Sequence, residues 1–126
     1  MQVVNMQLKV VILKVNIIGS IIKVREDKSM RTTICSAIDS KQVIQFDYDG
    51  GSRVVEPFCY GISTAGNEML RGYQTSGYSK SGEEVGWKPF LASKISRLVV
   101  TDEHFTGIRD GYNPNDEAMR TIYCHV

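Results

Sequence analysis

The chain has 126 residues, a formal net charge of +1 and 42% hydrophobic residues. This length fits one domain with a modest hydrophobic core, and the composition is that of an ordinary globular protein. The near-neutral charge argues against a broad nucleic-acid-binding surface, which usually needs an excess of basic residues. No apolar run reaches the roughly 18 residues that a membrane-spanning helix requires, so no membrane contact is expected.

The three cysteines, Cys35, Cys59 and Cys124, lie far apart in the sequence, and no C-x-x-C pair is present. This spacing argues against a zinc site and against a disulfide framework. We therefore expect three reduced thiols and a cytoplasmic location.

Residues 1–29 differ in composition from the rest of the chain. They are rich in β-branched residues, and the first 30 residues carry five basic and two acidic side chains, against ten and twelve in the remaining 96. One interpretation is a pair of strands with a turn near Gly19. Another interpretation is a β-rich extension ahead of Met30, or a mis-assigned translation start. A signal peptide is disfavoured because Lys9 and Lys14 interrupt the apolar region.

A short helix is predicted at residues 31–41, near the start of a folded domain that we place at residues 30–126. Thr32 or Thr33 can cap its N-terminus. The apolar residues that recur at helical spacing, and should therefore face the core, are Ile34, Ala37 and Ile38.

A β-hairpin is predicted from Val43 to Tyr60. The alternating apolar and aromatic residues of its first strand are Ile44, Phe46 and Tyr48. Asp49 and Gly50 supply the positive φ angles that a tight hairpin turn needs. The second strand, Arg53–Cys59, contains Pro57, which cannot donate a hydrogen bond to a neighbour. This strand should therefore lie at an edge or bend at the proline.

Three further strands follow, separated by polar segments. Their predicted bounds are Glu68–Gln74, Trp87–Leu91 and Ile95–Thr101. A final short helix is predicted at Pro114–Tyr123, because Asn113 can cap it and proline fits the first helical position. The two short helices and five short strands predict a mainly β fold, a small, strongly bent antiparallel barrel whose closure removes most exposed edges.

Several short segments match the pattern of one protein family. Arg53, Glu56 and Pro57 stand as R-x-x-E-P, and Lys88–Ile95 is similar to an R-x-F-x-L-x-R-I segment, with lysine in place of both arginines and alanine in place of the leucine. Leu70 is the one residue kept from a Trp-Tyr-Leu triplet. The other matching positions are Ala37, Ile38, Ile44, Phe46, Tyr48, Leu98, Thr101 and Phe105. Together these segments, from position 34 to position 105, resemble the WYL domain of bacterial regulators.

The resemblance implies a five-stranded Sm-like (SH3-like) barrel that binds a ligand, often a nucleic acid or a nucleotide, and thereby regulates an attached DNA-binding domain or enzyme. WYL domains commonly follow a winged helix-turn-helix, for which residues 1–29 leave no room. We therefore expect a stand-alone WYL-like module in bacterial transcription regulation, which senses its ligand on behalf of a partner regulator, helicase or defence protein.

The candidate ligand-binding residues combine cations with aromatic rings. They are Tyr48, Arg53, Arg71, Tyr78, Lys88 and Lys94. A guanidinium group binds phosphate in a bidentate manner, lysine offers a compact charge, and aromatic rings can stack on bases. In the alternative interpretation, each basic residue is a solvated strand residue paired with a nearby acid, and the aromatic residues belong to the core.

No catalytic motif accompanies these residues. His104 and His125 stand outside any arrangement typical of a nucleophile or a metal site, and the sequence holds no phosphate-binding loop. We therefore expect a non-enzymatic protein without a cofactor, which binds a negatively charged ligand, either single-stranded nucleic acid or a nucleotide. The second hypothesis is a protein-interaction or dimerisation module that uses a barrel edge or residues 1–29.

Overall fold

The structure, a computed structural model, describes residues 29–126. Helix α1 (Met30–Ser40) precedes six strands, with one short 3₁₀ helix, η1 (Ala92–Lys94), after the fourth. The strands are β1 (Gln42–Tyr48), β2 (Gly51–Ser63), β3 (Glu68–Gly77), β4 (Gly86–Leu91), β5 (Ser96–His104) and β6 (Met119–His125). The strand pair and the extension predicted for residues 1–29 fall, except for Ser29, outside the described residues.

Helix α1 forms where the apolar spacing predicted a helix. Ser29, rather than Thr32 or Thr33, caps it, and the Ser29 hydroxyl accepts a hydrogen bond from the Thr32 backbone N–H at 3.1 Å. The helix ends at Ser40, and the C-cap residue Lys41 adopts a left-handed conformation with a φ of 54°. The face expected to be buried is buried, and its residues are Ile34, Ala37 and Ile38.

The predicted hairpin is confirmed as β1 and β2. Asp49 and Gly50 form its two-residue turn with φ angles of 49° and 96°, both positive, as a type I′ turn requires. The register pairs Tyr48 with Gly51 and Phe46 with Arg53. The turn therefore places Tyr48 and Arg53 close together at one end of the sheet.

All strand pairs are antiparallel, and the order in the sheet is β4-β3-β2-β1-β5, with β6 paired to β2 as well. Strand β2 is long enough to pair with two strands along the same edge. Residues 51–55 pair with β1, and residues 59–63 pair with β6. Pro57 lies between the two stretches, next to a register shift in the β2–β3 ladder, as its missing N–H requires.

Two features of the predicted fold are not present in residues 29–126. Strands β4 and β5 stand at opposite ends of the strand order and are not paired, so the sheet is not closed into a barrel. The C-terminal helix predicted at Pro114–Tyr123 is absent, because turns occupy the residues before position 119 and β6 begins there. The side chains of Asn113 and Asp116 accept hydrogen bonds from backbone groups two residues ahead, at Asn115 and Ala118, and so stabilise turns instead of capping a helix.

The core lies between α1 and one face of the sheet, here called the inner face. Its largest members are Ile34, Ile38, Ile44, Phe46, Tyr60, Leu70 and Phe90. Because side chains alternate along a strand, Tyr73 and Trp87 point to the opposite, outer face. Residues 105–118 cover that face, where Phe58 packs against Trp87 and Tyr112 with ring centroids 4.8 and 5.1 Å apart.

The cysteines differ from the sequence prediction. Cys35 of α1 and Cys124 of β6 form a disulfide across 89 positions of sequence, so the expectation of reduced thiols is wrong for these two residues. Their Cα atoms lie 5.7 Å apart because β6 runs alongside the helix. Cys59 is a free, buried thiol, and burial raises its pKa to about 11, which makes it a poor nucleophile.

Candidate anion-binding site

Arg53 is the centre of the site, and it is buried with 4% of its surface exposed. It lies on β2 opposite Phe46, near the hairpin turn. Its Nη1 donates to Oε1 of the fully buried Gln74 at 3.2 Å, and its Nη2 donates to the backbone carbonyl of Tyr48 at 3.0 Å. Both partners are neutral, so they fix the position of the guanidinium without balancing its charge.

In the part of the chain that the structure describes, the charge of Arg53 has no carboxylate partner. Among residues 29–126, no Asp or Glu oxygen lies within ion-pair distance of this guanidinium. Its Nε is buried and makes no hydrogen bond. A buried charge is costly unless it is paired, and guanidinium has five N–H donors to satisfy. Arg53 therefore has unused capacity for an anion.

Three aromatic rings surround the Arg53 guanidinium. The distances from Cζ to the ring centroids are 5.3 Å for Tyr48, 5.5 Å for Tyr78 and 5.8 Å for Phe90. Cation–π attraction at these distances offsets part of the desolvation cost. It does not use the in-plane N–H groups, of which two donate to Gln74 and Tyr48 and the Nε–H makes no hydrogen bond.

Tyr78 forms the exposed side of this aromatic group, with 44% of its surface accessible. Its backbone N–H donates to the Ser52 carbonyl at 2.8 Å, and its own carbonyl accepts from Gln74 Nε2 at 2.9 Å. The ring packs against Gly51 so closely that a Cβ there would overlap Tyr78. The backbone of Tyr78 is thus fixed, while its ring stays available to solvent.

Lys94 approaches Tyr48 from η1. Its Nζ lies 5.2 Å from the Tyr48 ring centroid and 2.9 Å from Oδ1 of Asp49, the first residue of the hairpin turn. This hydrogen bond raises the pKa of Lys94 and lowers the pKa of Asp49. The Tyr48 hydroxyl accepts from the Leu91 backbone N–H at 3.0 Å, which fixes the ring between the two cations.

A surface pocket of about 320 Å³ opens beside this arrangement. It is lined by Asp47, Tyr48, Asp49, Gly50, Gly51, Lys94 and Ser96. Arg53 does not line the pocket, but the ring of Tyr48, which does, lies within 5.3 Å of both Arg53 Cζ and Lys94 Nζ. An anion in this pocket would therefore contact Lys94 and lie within the electrostatic field of Arg53.

Two of the predicted site residues lie elsewhere. Arg71 is on the outer face, where its Nε donates to Oδ2 of Asp116 at 2.7 Å. Burial alone would raise the pKa of Asp116, but the hydrogen bonds from Arg71 and Ala118 bring it below the ordinary value. Lys88 lies two residues before Phe90 on β4 and so shares its face, but it does not line the pocket beside Lys94.

Sequence reasoning missed two members of the site. Gln74 is four residues from Leu70 on β3, which places it on the inner face, where a buried polar side chain signals a specific hydrogen-bond partner. Asp49 was explained by the turn alone. Its contact with Lys94 depends on the position of η1, which no local pattern reveals.

Metal binding and membrane crossing find no support within residues 29–126. In the described range, no group of three or more His, Cys, Asp or Glu residues could hold a metal ion. None of its helices has the length and apolar character to cross a membrane. No protein-family model, curated protein or solved structure matches the chain significantly.

Proposed function

We propose that this chain is a non-enzymatic, WYL-type ligand-binding domain that recognises a negatively charged ligand, a nucleotide or single-stranded nucleic acid, at Tyr48, Arg53, Tyr78 and Lys94. The observation that carries the proposal is the buried guanidinium of Arg53, which has aromatic neighbours and neutral hydrogen-bond partners but no carboxylate partner among residues 29–126. Arg71 lies outside the proposed site because Asp116 already neutralises it. Lys88 is left as a peripheral candidate.

The strand order supports the finer proposal of an Sm-like arrangement. In the order β4-β3-β2-β1-β5, the two end strands are joined directly by η1. Contact between these two strands alone would complete a five-stranded ring, with α1 over one side of it. In this proposal, β6 is an addition to the ring, because it pairs with the far half of β2.

The ligand chemistry follows from the side chains. A phosphate group next to Lys94 would form a charge-assisted hydrogen bond and lie in the field of Arg53. A base attached to that phosphate could stack on the exposed ring of Tyr78, a contact that tolerates any base. Nucleic-acid or nucleotide binding at a small focused site also fits the near-neutral charge of the chain.

The test is a binding titration with short single-stranded oligonucleotides and with nucleotides at two salt concentrations. We expect binding that weakens with salt, and a loss of at least tenfold in affinity for Arg53→Gln. Arg97→Gln is the matched control, because it removes the same charge from an arginine whose side chain is 84% exposed and paired with the pocket residue Asp47. Absence of salt-sensitive binding at micromolar protein, or equal losses in the two variants, would contradict the proposal.

A second candidate function, a protein-interaction or dimerisation module, is favoured by one observation. Among residues 29–126, strand β5 pairs with β1 on one side only, and it carries an exposed Val99, with 55% of its surface accessible. Such an edge can accept a strand from a partner or a second copy. Concentration-dependent dimerisation that Val99→Lys abolishes would support this function, whereas a monomer at all concentrations would remove the homodimer form of it.

The biological setting stays a prediction. A partner regulator, helicase or defence protein would receive the signal, and a cytoplasmic location would place the domain next to nucleic acid. The Cys35–Cys124 disulfide speaks against that location, since disulfides persist mainly in oxidising compartments.

A further inference from the structure

Lys94 lines the pocket, Arg97 pairs with a residue that lines it, and each of these two cations has a carboxylate partner. Lys94 pairs with Asp49, and Arg97 pairs with Asp47, each at 2.9 Å. A ligand that enters the pocket therefore meets two neutralised ion pairs, and any anion that binds Lys94 must compete with a carboxylate of the protein itself.

The two ion pairs differ in their surroundings. The Arg97 side chain is 84% exposed and its Asp47 partner 35%, so that pair is largely solvated. Lys94 and Asp49 are 46% and 27% exposed, and the Lys94 Nζ also contacts the Tyr48 ring. Asp49 is held rigidly as well, because it belongs to the two-residue turn and has a φ of 49°. The turn thus holds the Asp49 carboxylate beside Lys94, the cation that the ligand would bind.

We propose that Asp49 acts as an internal counter-ion that the ligand displaces from Lys94, and that the site thus vacated binds a terminal phosphomonoester in preference to an internal phosphodiester. The inference deepens the proposed function and rests on it.

The selectivity follows from the charges that are exchanged. A phosphodiester carries one negative charge, so replacing the Asp49 carboxylate on Lys94 leaves the local Coulomb energy nearly unchanged. A phosphomonoester carries a charge of about −1.5 to −2 at pH 7 and has three acceptor oxygens. Its attraction to Lys94 is therefore stronger than that of the carboxylate. It also interacts with Arg53, whose charge no carboxylate of residues 29–126 neutralises.

Asp49→Asn is a suitable variant because asparagine tolerates the left-handed conformation, and Asn-Gly is a preferred sequence for a type I′ turn. The hairpin should fold unchanged. Asp47→Asn is the matched control, since it makes the same change in net charge at the same pocket but leaves the Asp49–Lys94 pair intact.

The experiment measures affinities for three probes: an oligonucleotide with a 5′-phosphate, the same oligonucleotide with a 5′-hydroxyl, and a nucleoside 5′-monophosphate. For the unmodified chain, we expect the 5′-phosphate to improve oligonucleotide binding about tenfold. In Asp49→Asn both oligonucleotides should bind more tightly, because neither has to displace a carboxylate from Lys94, and the phosphorylated one should gain at least as much as the other. Asp47→Asn should give a smaller gain, because the Asp49–Lys94 pair remains. Binding of the free monophosphate would identify a nucleotide ligand; binding of only the phosphorylated oligonucleotide would identify a nucleic-acid end.

The outcomes separate the inference from the function beneath it. Binding that depends on Arg53 but ignores the 5′-phosphate, or that responds equally to Asp49→Asn and Asp47→Asn, overturns the inference and leaves the proposed function standing. Weaker binding in Asp49→Asn also overturns it, because Asp49 would then orient Lys94 and not compete for it. Absence of binding in every variant overturns both.

Discussion

The arginines on the two faces of the sheet have different partners. At the outer face, Arg71 donates to Asp116, and Arg109 donates through Nε and Nη2 to the two oxygens of Glu56, at 3.1 and 2.8 Å. On the inner face, Arg53 has only Gln74 and a backbone carbonyl. The side chains of Arg71 and Arg109 are 24% and 34% exposed, whereas Arg53 is 4% exposed as a residue. Of these three arginines, the most buried is therefore the one for which residues 29–126 supply no counter-ion.

This difference separates structural cations from functional ones. Arg109 lies 4.0 Å from the Tyr73 ring centroid and is fully neutralised by Glu56, which raises its pKa further. That arrangement attaches residues 105–118 to the sheet and needs no ligand. Arg53 has similar aromatic contacts without the carboxylate, so stability alone does not explain why a charge is kept there. The comparison leads to predictions on stability, from the largest effect to the smallest.

The largest effect is expected from the disulfide, which attaches the helix over the inner face to β6. Reducing Cys35–Cys124, or replacing both residues with serine, should lower the free energy of unfolding by about 4 kcal/mol, because the bond closes a loop of 89 positions. Denaturant unfolding with and without reductant measures this. Equal midpoints in the two conditions would show that the bond is not formed in solution.

The second effect tests the outer face. Glu56→Gln should lower the free energy of unfolding by about 2 kcal/mol, since it leaves the Arg109 guanidinium part-buried without a counter-ion. Urea denaturation measures the loss. The exposed Glu103→Gln serves as a control and should change stability by less than about 0.5 kcal/mol.

A smaller effect concerns pH and the Arg71–Asp116 pair. The pKa of Asp116 is lower in the folded chain than its ordinary value of 3.8, so the stability it contributes is present above that pH and is lost as the pH falls through the folded-state pKa. Asp116→Asn should therefore make the acid limb of the stability profile shallower, by about 1 kcal/mol in total. Unfolding curves between about pH 5 and pH 2 compare the two proteins, and parallel acid limbs would contradict the prediction.

Much of the fold could be predicted from local patterns. The hairpin follows from alternation around Asp49 and Gly50, and the buried face of α1 follows from its apolar spacing. The C-terminal strand could not be predicted, because the Asn113–Asp116 signals are shared by turns and helix starts. The backbone partners that make residues 119–125 a strand lie on β2, about sixty positions earlier. The disulfide was missed for the same reason.

The candidate site also contains contacts that local patterns predict and contacts that they do not. Tyr48 and Arg53 flank one turn, so their proximity follows from the hairpin. Arg71 was grouped with them by charge, although alternation along β3 sends it to the outer face beside Tyr73. The ion pair between Lys94 and Asp49 depends on where η1 lies relative to the hairpin, a long-range feature that composition and spacing do not determine.

The most direct test of the account replaces Arg53 with methionine, which fills a similar volume without charge, and measures stability and oligonucleotide affinity on the same protein. We predict a change in the free energy of unfolding of no more than about 1 kcal/mol, because removing the unpaired buried charge offsets the hydrogen bond that Gln74 loses, together with a loss of at least tenfold in affinity. A loss of stability as large as that of Glu56→Gln, with affinity unchanged, would show that Arg53 is a structural residue and would contradict the proposed site.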